Sequence, residues 1–261
     1  METLTVGKGL VKIAVLGSLH GDEPQSVGLV EELARELHAH PEMTSQCTVL
    51  FIKSANPDGF VRRSPYNLNG VDLNRNFPSA NWQLQANNRA GNKSAPEIET
   101  RTVIRLLEDF QPELLVHVKD TRGTATVNYE GPDSLRAQQV ASRNGSKVAQ
   151  GLGQATTGSV ENYADTRLQC PSLTLLIPRE SSTQAAWAKH RDALVAAVAP
   201  TTGSRTPSKT KPLSSADPFE ERPTVRMNHK YIPVSTESSK SQPAFPLPVP
   251  EHGYFELPPP Q

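Results

Sequence analysis

The chain has 261 residues with 27 basic and 27 acidic side chains, giving a formal net charge of zero. That balance argues against a dedicated nucleic-acid or anionic-membrane surface, because either needs a basic excess. Two cysteines, Cys47 and Cys170, exclude a disulfide scaffold and a cysteine-rich zinc module, and leave a single bridge open.

Taken in chain order, the first 200 residues read as α/β. The apolar run over 10–16 predicts a buried strand, closed by a turn at Gly17. Residues 24–38 have helical period, with Val27, Val30, Leu33 and Leu37 on one face. A second strand is predicted over 48–52, a helix over 95–110 and a third strand over 114–118. A weak helix follows over 134–151, then a fourth strand over 172–177 and a closing helix over 185–198. Strands alternating with helices predict a mixed, mainly parallel sheet with helices on both faces. The apolar run near the N-terminus is too short for a signal segment or membrane span, and the chain reads as soluble and cytoplasmic.

Composition changes near residue 201. Of the 23 prolines, 12 lie in 201–261, among Ser, Thr and Lys, which separates this stretch from the domain over 1–200. Such a segment buries too little apolar surface to offset its ordering entropy, so a disordered C-terminal tail is expected. Its proline-rich end suits a protein partner.

In open α/β sheets, ligands sit beyond the carboxyl ends of strands. Beyond the first strand stand His20 and Glu23, three apart, with Gly21 between them. An imidazole and a carboxylate so placed can converge on one Zn²⁺; the same residues also make a plain helix start, with acids and Pro24 at its positive end. His117 lies at the end of the third predicted strand, either a core histidine or a third ligand. Asn56-Pro57-Asp58-Gly59 reads as an ordinary turn. Asn74-Arg75-Asn76 places a guanidinium fork beside amides, which suits a carboxylate, although an exposed loop arginine is the ordinary alternative.

In combination, His20-x-x-Glu23, Asn56-Pro57-Asp58-Gly59, Gly70-Val71-Asp72-Leu73-Asn74-Arg75-Asn76-Phe77-Pro78, Glu97-x-Glu99-Thr100 and His117 resemble the zinc carboxypeptidase family. The likeness is nearest the compact bacterial branch that includes murein-peptide amidases, and covers about residues 10–190. The resemblance implies a carboxypeptidase-like fold and one Zn²⁺ per chain, held by His20, Glu23 and His117. It implies that Asn74 and Arg75 hold a substrate's terminal carboxylate. It makes Tyr163, in Gly158-Ser159-Val160-Glu161-Asn162-Tyr163, a candidate for the family's mobile aromatic lid. The partner would be a peptide or acyl amino acid with a free carboxylate, and neither nucleic acid nor membrane.

Three departures from the family pattern stand out. Leu176 falls where the family has its catalytic Glu, and leucine cannot move a proton. General acid–base help is worth roughly 10² to 10⁴ in rate. Glu180 shares strand parity with Leu176 and is a rescue candidate, but four residues of strand span about 13 Å. Asp120 and Glu130 are further candidates. Pro65 takes the place of the arginine that supports the oxyanion, with Arg63 just upstream as its substitute. The chain also starts almost at the first buried strand, so a preceding edge strand and helix are expected to be missing. The readings that result are a zinc metallocarboxypeptidase or amidase, a catalytically silent zinc- and peptide-binding relative, and an N-acyl amino acid deacylase.

Overall fold

Strand formation follows the apolar runs. The computed structural model describes residues 1–84, 89–151 and 157–199, and the expected tail from 201 lies outside these. The strands are β1 (Thr3–Gly7), β2 (Val11–Ser18), β3 (Cys47–Ser54), β4 (Leu114–Thr121), β5 (Thr126–Glu130), β6 (Lys147–Gln150) and β7 (Ser172–Pro178). They form one sheet in the order β1-β3-β2-β4-β7-β5-β6. The pairs β2–β3, β2–β4, β4–β7 and β5–β6 are parallel, and β1–β3 and β5–β7 are antiparallel. The sheet is therefore mixed and mainly parallel.

The helices are α1 (Pro24–Ala39), α2 (Pro57–Arg62), α3 (Ile98–Phe110), α4 (Ser134–Ser142), α5 (Val160–Tyr163) and α6 (Thr183–Val198). Ile13, Ala14, Val15 and Leu16 are all fully buried, as a central strand covered on both faces requires. Their alternation splits the core in two. Ile13, Val15, Val116, Val118, Leu173 and Leu175 pack with α1, α4 and α6. Ala14, Leu16, Leu50, Ile52 and Leu115 pack with α3 and α5 on the other face. No helix among the described residues is long and apolar enough to cross a membrane.

Several expectations change. An edge strand does precede β2: β1 pairs antiparallel with β3, Leu4 opposite Phe51 and Val6 opposite Val49. The stretch 134–151 is not one helix. It ends at Ser142, Gly145 takes φ +71°, and the chain continues as β6. The short strand β5 also carried no strong sequence signal. Cys47 and Cys170 are both free and belong to different halves of the core, so they form no bridge.

This topology places the site. From β2 the chain crosses to β3 on one side, while β4 lies on the other. The order reverses there, and the carboxyl ends of β2 and β4 open a crevice.

Candidate active site

Beyond β2 the chain turns tightly. The Glu23 N–H donates to the His20 carbonyl at 3.1 Å, and Ser26 Oγ donates to the Glu23 carbonyl at 2.8 Å. Glu23 Oε1 thereby stands 3.0 Å from His20 Nδ1. The other ring nitrogen, Nε2, lies 2.8 Å from Asp72 Oδ1. Burial alone would lower the His20 pKa, but the bonds to Asp72 and Glu23 outweigh it and raise it to about 9. Burial opposes ionisation of both carboxylates, yet the His20 hydrogen bond and the charge of Lys119 leave each below its ordinary range.

The Asn-Pro-Asp-Gly segment, expected as a plain turn, fastens this loop. Asn56 caps α2 by accepting from the Gly59 N–H at 2.9 Å, while its amide donates to the Leu19 carbonyl at 3.2 Å. Gly21 rests against this helix start, and a Cβ there would collide with the Gly59 backbone. Only glycine permits the approach.

His117 arrives from the neighbouring strand, in register with Leu16 of β2 and Thr174 of β7. It is fully buried. Its Nδ1 lies 2.6 Å from Glu161 Oε1, which also accepts from Thr174 Oγ1 at 3.2 Å. Burial would raise the Glu161 pKa, but the charge and hydrogen bond of His117, with Lys119, hold it far below the usual range. A carboxylate fixing one imidazole nitrogen while the other is free is how proteins orient a metal-binding histidine.

Two buried polar atoms at this place have no hydrogen-bond partner: His117 Nε2 and Glu23 Oε2. Such orphans are costly unless something fills them. With His20 they make a donor set of two imidazoles and one carboxylate, the chemistry of an open zinc site. Among the described residues no three His, Cys, Asp or Glu side chains already stand together as a cage. His20 is instead held between Glu23 and Asp72.

The residues expected to anchor a carboxylate, Asn74 and Arg75, lie on the loop that carries Asp72. Asp72 Oδ1 accepts from the Asn74 N–H at 2.9 Å and starts a 3₁₀ turn, Leu73–Arg75. Arg75 Nε is 3.5 Å from Asp72 Oδ2 and the side chain is partly exposed. Asn74 is buried; its Oδ1 accepts from the Val160 N–H at 3.0 Å and its Nδ2 lies 3.4 Å from Glu161 Oε2. Gly158 lets α5 approach: it takes φ +75°, and a Cβ there would strike the Arg75 carbonyl.

The structure thus brings His20, Glu23, His117, Asn74 and Arg75 to one end of the sheet. Other expected residues lie elsewhere. Leu176 does face the site: Thr174 and Leu176 occupy the face of β7 opposite to Leu173, Leu175 and Ile177. Glu180 does not reach it. Strand β7 ends at Pro178, and Glu180 pairs with Lys189 of α6 at 2.7 Å, on the other side of the sheet. Asp120 points to that side too, accepting from the Gln25 and Ser26 N–H groups at the start of α1. Glu130 pairs with Ser172, at the opposite end of β7. Tyr163 is 2% exposed, packs on Phe77 and donates to Glu108 at 2.8 Å, so it is a core residue here and no lid. Arg63 is exposed, in the left-handed region at the end of α2.

Three residues escaped the sequence reading. Asp72 was legible only as part of a motif. Glu161 follows a helix-capping Ser159 and looks like a dipole-favouring acid. Lys119 lies two residues beyond His117 and had no motif to mark it.

The fold agrees with the comparisons. The zinc carboxypeptidase family model matches residues 5–195. Murein peptide amidase A of Escherichia coli K12 is 32% identical over 187 residues, spanning 66% of this chain and 73% of that protein. The human carboxypeptidase N catalytic chain is 28% identical over 149 residues, covering 45% of this chain and 32% of its own length. The crystal structure of murein-tripeptide amidase MpaA from Escherichia coli O157 superposes with a TM-score of 0.61 at 24% identity, covering 77% of this chain and 94% of that one. Bovine thrombin-activatable fibrinolysis inhibitor gives 0.63 at 14% identity, covering 74% and 82%. With the family model matching most of its length, the chain belongs to the zinc carboxypeptidase family.

Proposed function

We propose that this chain binds one zinc ion through His20, Glu23 and His117 and acts on an amide bond next to a free carboxylate. The observation that carries this reading is the pair of buried, partnerless atoms, Glu23 Oε2 and His117 Nε2, beside His20. Zinc held there supplies Lewis acidity toward a carbonyl oxygen and toward water. Asp72 and Glu161 orient the two imidazoles. Arg75, with the Asn74 loop, reads the carboxylate and fixes the register of the peptide. The relatives named as murein peptide amidases make a murein-type peptide the leading substrate class, ahead of an acyl amino acid.

Among the described residues, no carboxylate at the site is left free of an imidazole to act as proton carrier. Leu176 faces the site, and Glu23, Asp72 and Glu161 are all engaged with imidazoles. Turnover is therefore expected about 10² to 10⁴ below that of an enzyme with the base in place. The same observation favours a second reading, in which the site binds zinc and peptide termini without turning over.

The test is hydrolysis of a panel of peptides by the zinc-loaded full chain, with His20→Ala as the blank. Slow cleavage that the blank lacks, and that Leu176→Glu accelerates at least about tenfold, supports the hydrolase. Peptide that binds through Arg75 but is never cleaved, even by Leu176→Glu, supports the binding module. Zinc bound with no peptide either held or cleaved overturns both.

A further inference from the structure

Lys119 lies on the site's side of β4. It lies two residues beyond His117 on β4 and so shares the histidine's face. Its Cα partner across the sheet is Leu176, the residue in place of the family's carboxylate. Its charge opposes protonation of His20 and favours the ionised forms of Glu23, Asp72 and Glu161, so it lies within electrostatic range of both imidazoles' carboxylate partners. The residue is half-buried, and among the described residues no hydrogen bond or ion pair engages its ammonium. The apolar Leu176 flanks its stem, as suits a lysine that carries its charge forward from a covered chain.

The other cations nearby are committed or remote. Arg75 pairs with Asp72. Arg179 pairs with Asp120 on the opposite face. Arg63 sits exposed at the end of α2, and Pro65, where an oxyanion-supporting arginine was expected, carries no charge. Among the described residues, an amide bound with its carboxylate on Arg75 and its carbonyl toward His20 and His117 meets in Lys119 a half-buried positive group that no hydrogen bond or ion pair engages.

We propose that Lys119 is a catalytic residue of this site, its ammonium donating a hydrogen bond to the carbonyl oxygen of the bound amide and to the oxyanion that develops there. The role rests on the zinc-hydrolase reading above and supplies the oxyanion support that Pro65 does not. It needs no proton transfer: the ammonium keeps its protons, and no bond to it forms or breaks. It also explains why the loss of a cation at position 65 and of a carboxylate at 176 leaves a coherent site, with positive charge brought in from β4 instead.

The experiment compares two ligands on the zinc-loaded full chain. One is an N-acylated dipeptide with a free carboxylate. The other is the matching phosphonate, whose anionic tetrahedral group replaces the scissile carbonyl. Calorimetric Kd values are measured for wild type, Lys119→Met and Lys119→Arg, with zinc content and melting checked for each. Lys119→Met should weaken the phosphonate by about 10- to 100-fold, the worth of one charged hydrogen bond, and the dipeptide by less than about threefold. Lys119→Arg should recover most of the loss. Unchanged affinity, or equal loss on both ligands, overturns the proposal. A wild type that holds the dipeptide without preferring the phosphonate overturns the role of Lys119 and leaves the proposed function standing. A wild type that carries zinc and binds neither overturns both.

Discussion

His117 Nδ1 and Glu161 Oε1 lie 2.6 Å apart with both side chains shut away from water. The pair joins the central strand β4 to the start of α5, and it leaves Nε2 of the histidine as the free end. Removing one member of a buried pair strands the other.

Glu161→Ala should therefore cost about 3 to 5 kcal/mol in folding stability. Glu161→Gln, which keeps the shape, should weaken zinc binding by about 10- to 100-fold. The acid limb adds a check. The folded-state pKa of Glu161 lies below its ordinary 4.5, so its contribution is present above about pH 4.5 and is lost as pH falls toward the folded value. Denaturant melts from pH 7 down to pH 3 should show a shallower acid loss in Glu161→Gln than in wild type.

Asp120 gives the opposite slope. Burial first, and the charge of Glu23 second, push its carboxyl up to about 6 from 3.8, against hydrogen bonds from Gln25 and Ser26. The folded state holds this proton more tightly than the unfolded chain. Its contribution is fully present below about pH 4 and is lost as pH rises through 6. The stability of wild type relative to Asp120→Asn should fall across that window. A flat difference would show that Asp120 does not titrate there.

Zinc uptake should release protons. In the metal-free protein His20 titrates at about 9, so it carries a proton at pH 7 that a metal ligand must lose. Calorimetry at pH 7 in buffers of different ionisation enthalpy should report release of about one proton per zinc from this histidine. Apparent affinity should rise roughly tenfold per pH unit up to about pH 9. Affinity independent of pH would contradict the assignment of His20 as a ligand.

Asn56 offers a test of the seam between α2 and the loop carrying His20 and Glu23. Asn56→Ala removes a cap worth about 1 kcal/mol and also the tether to the Leu19 carbonyl. Asn56→Asp keeps the acceptor for the cap and loses the donor. Both should loosen the loop and weaken zinc binding. Equal zinc affinity in wild type and both variants would show that the tether does not position His20.

How much of this was legible in the sequence follows from the kind of signal each element carries. The central strands β2 and β4 are buried on both faces, so an unbroken apolar run announces them. The edge strands β1 and β6, and β5 beside β6, are short and half-exposed, and their residues read as loop or helix. His20, Glu23, Asn74 and Arg75 were legible because close spacing betrays a shared task. Glu161 was not, because its partner His117 is 44 residues away and only the fold joins them. Glu180 failed as a rescue for a similar reason. Strand parity holds only while the strand continues, and β7 stops at Pro178. Lys119 has no local signature at all; its meaning comes from the register that sets it opposite Leu176.

The buried amide of Asn74 touches both halves of the site. Its oxygen holds the Val160 N–H, and its nitrogen approaches the second oxygen of the carboxylate that steadies His117. Cutting this side chain back removes a hinge pin as well as a recognition group. Asn74→Ala is consequently an ambiguous instrument: weaker peptide binding in that variant blends lost recognition with a displaced α5 and a tilted imidazole. Arg75, partly exposed and among the described residues paired with Asp72, is the position where the proposed recognition can be removed by itself.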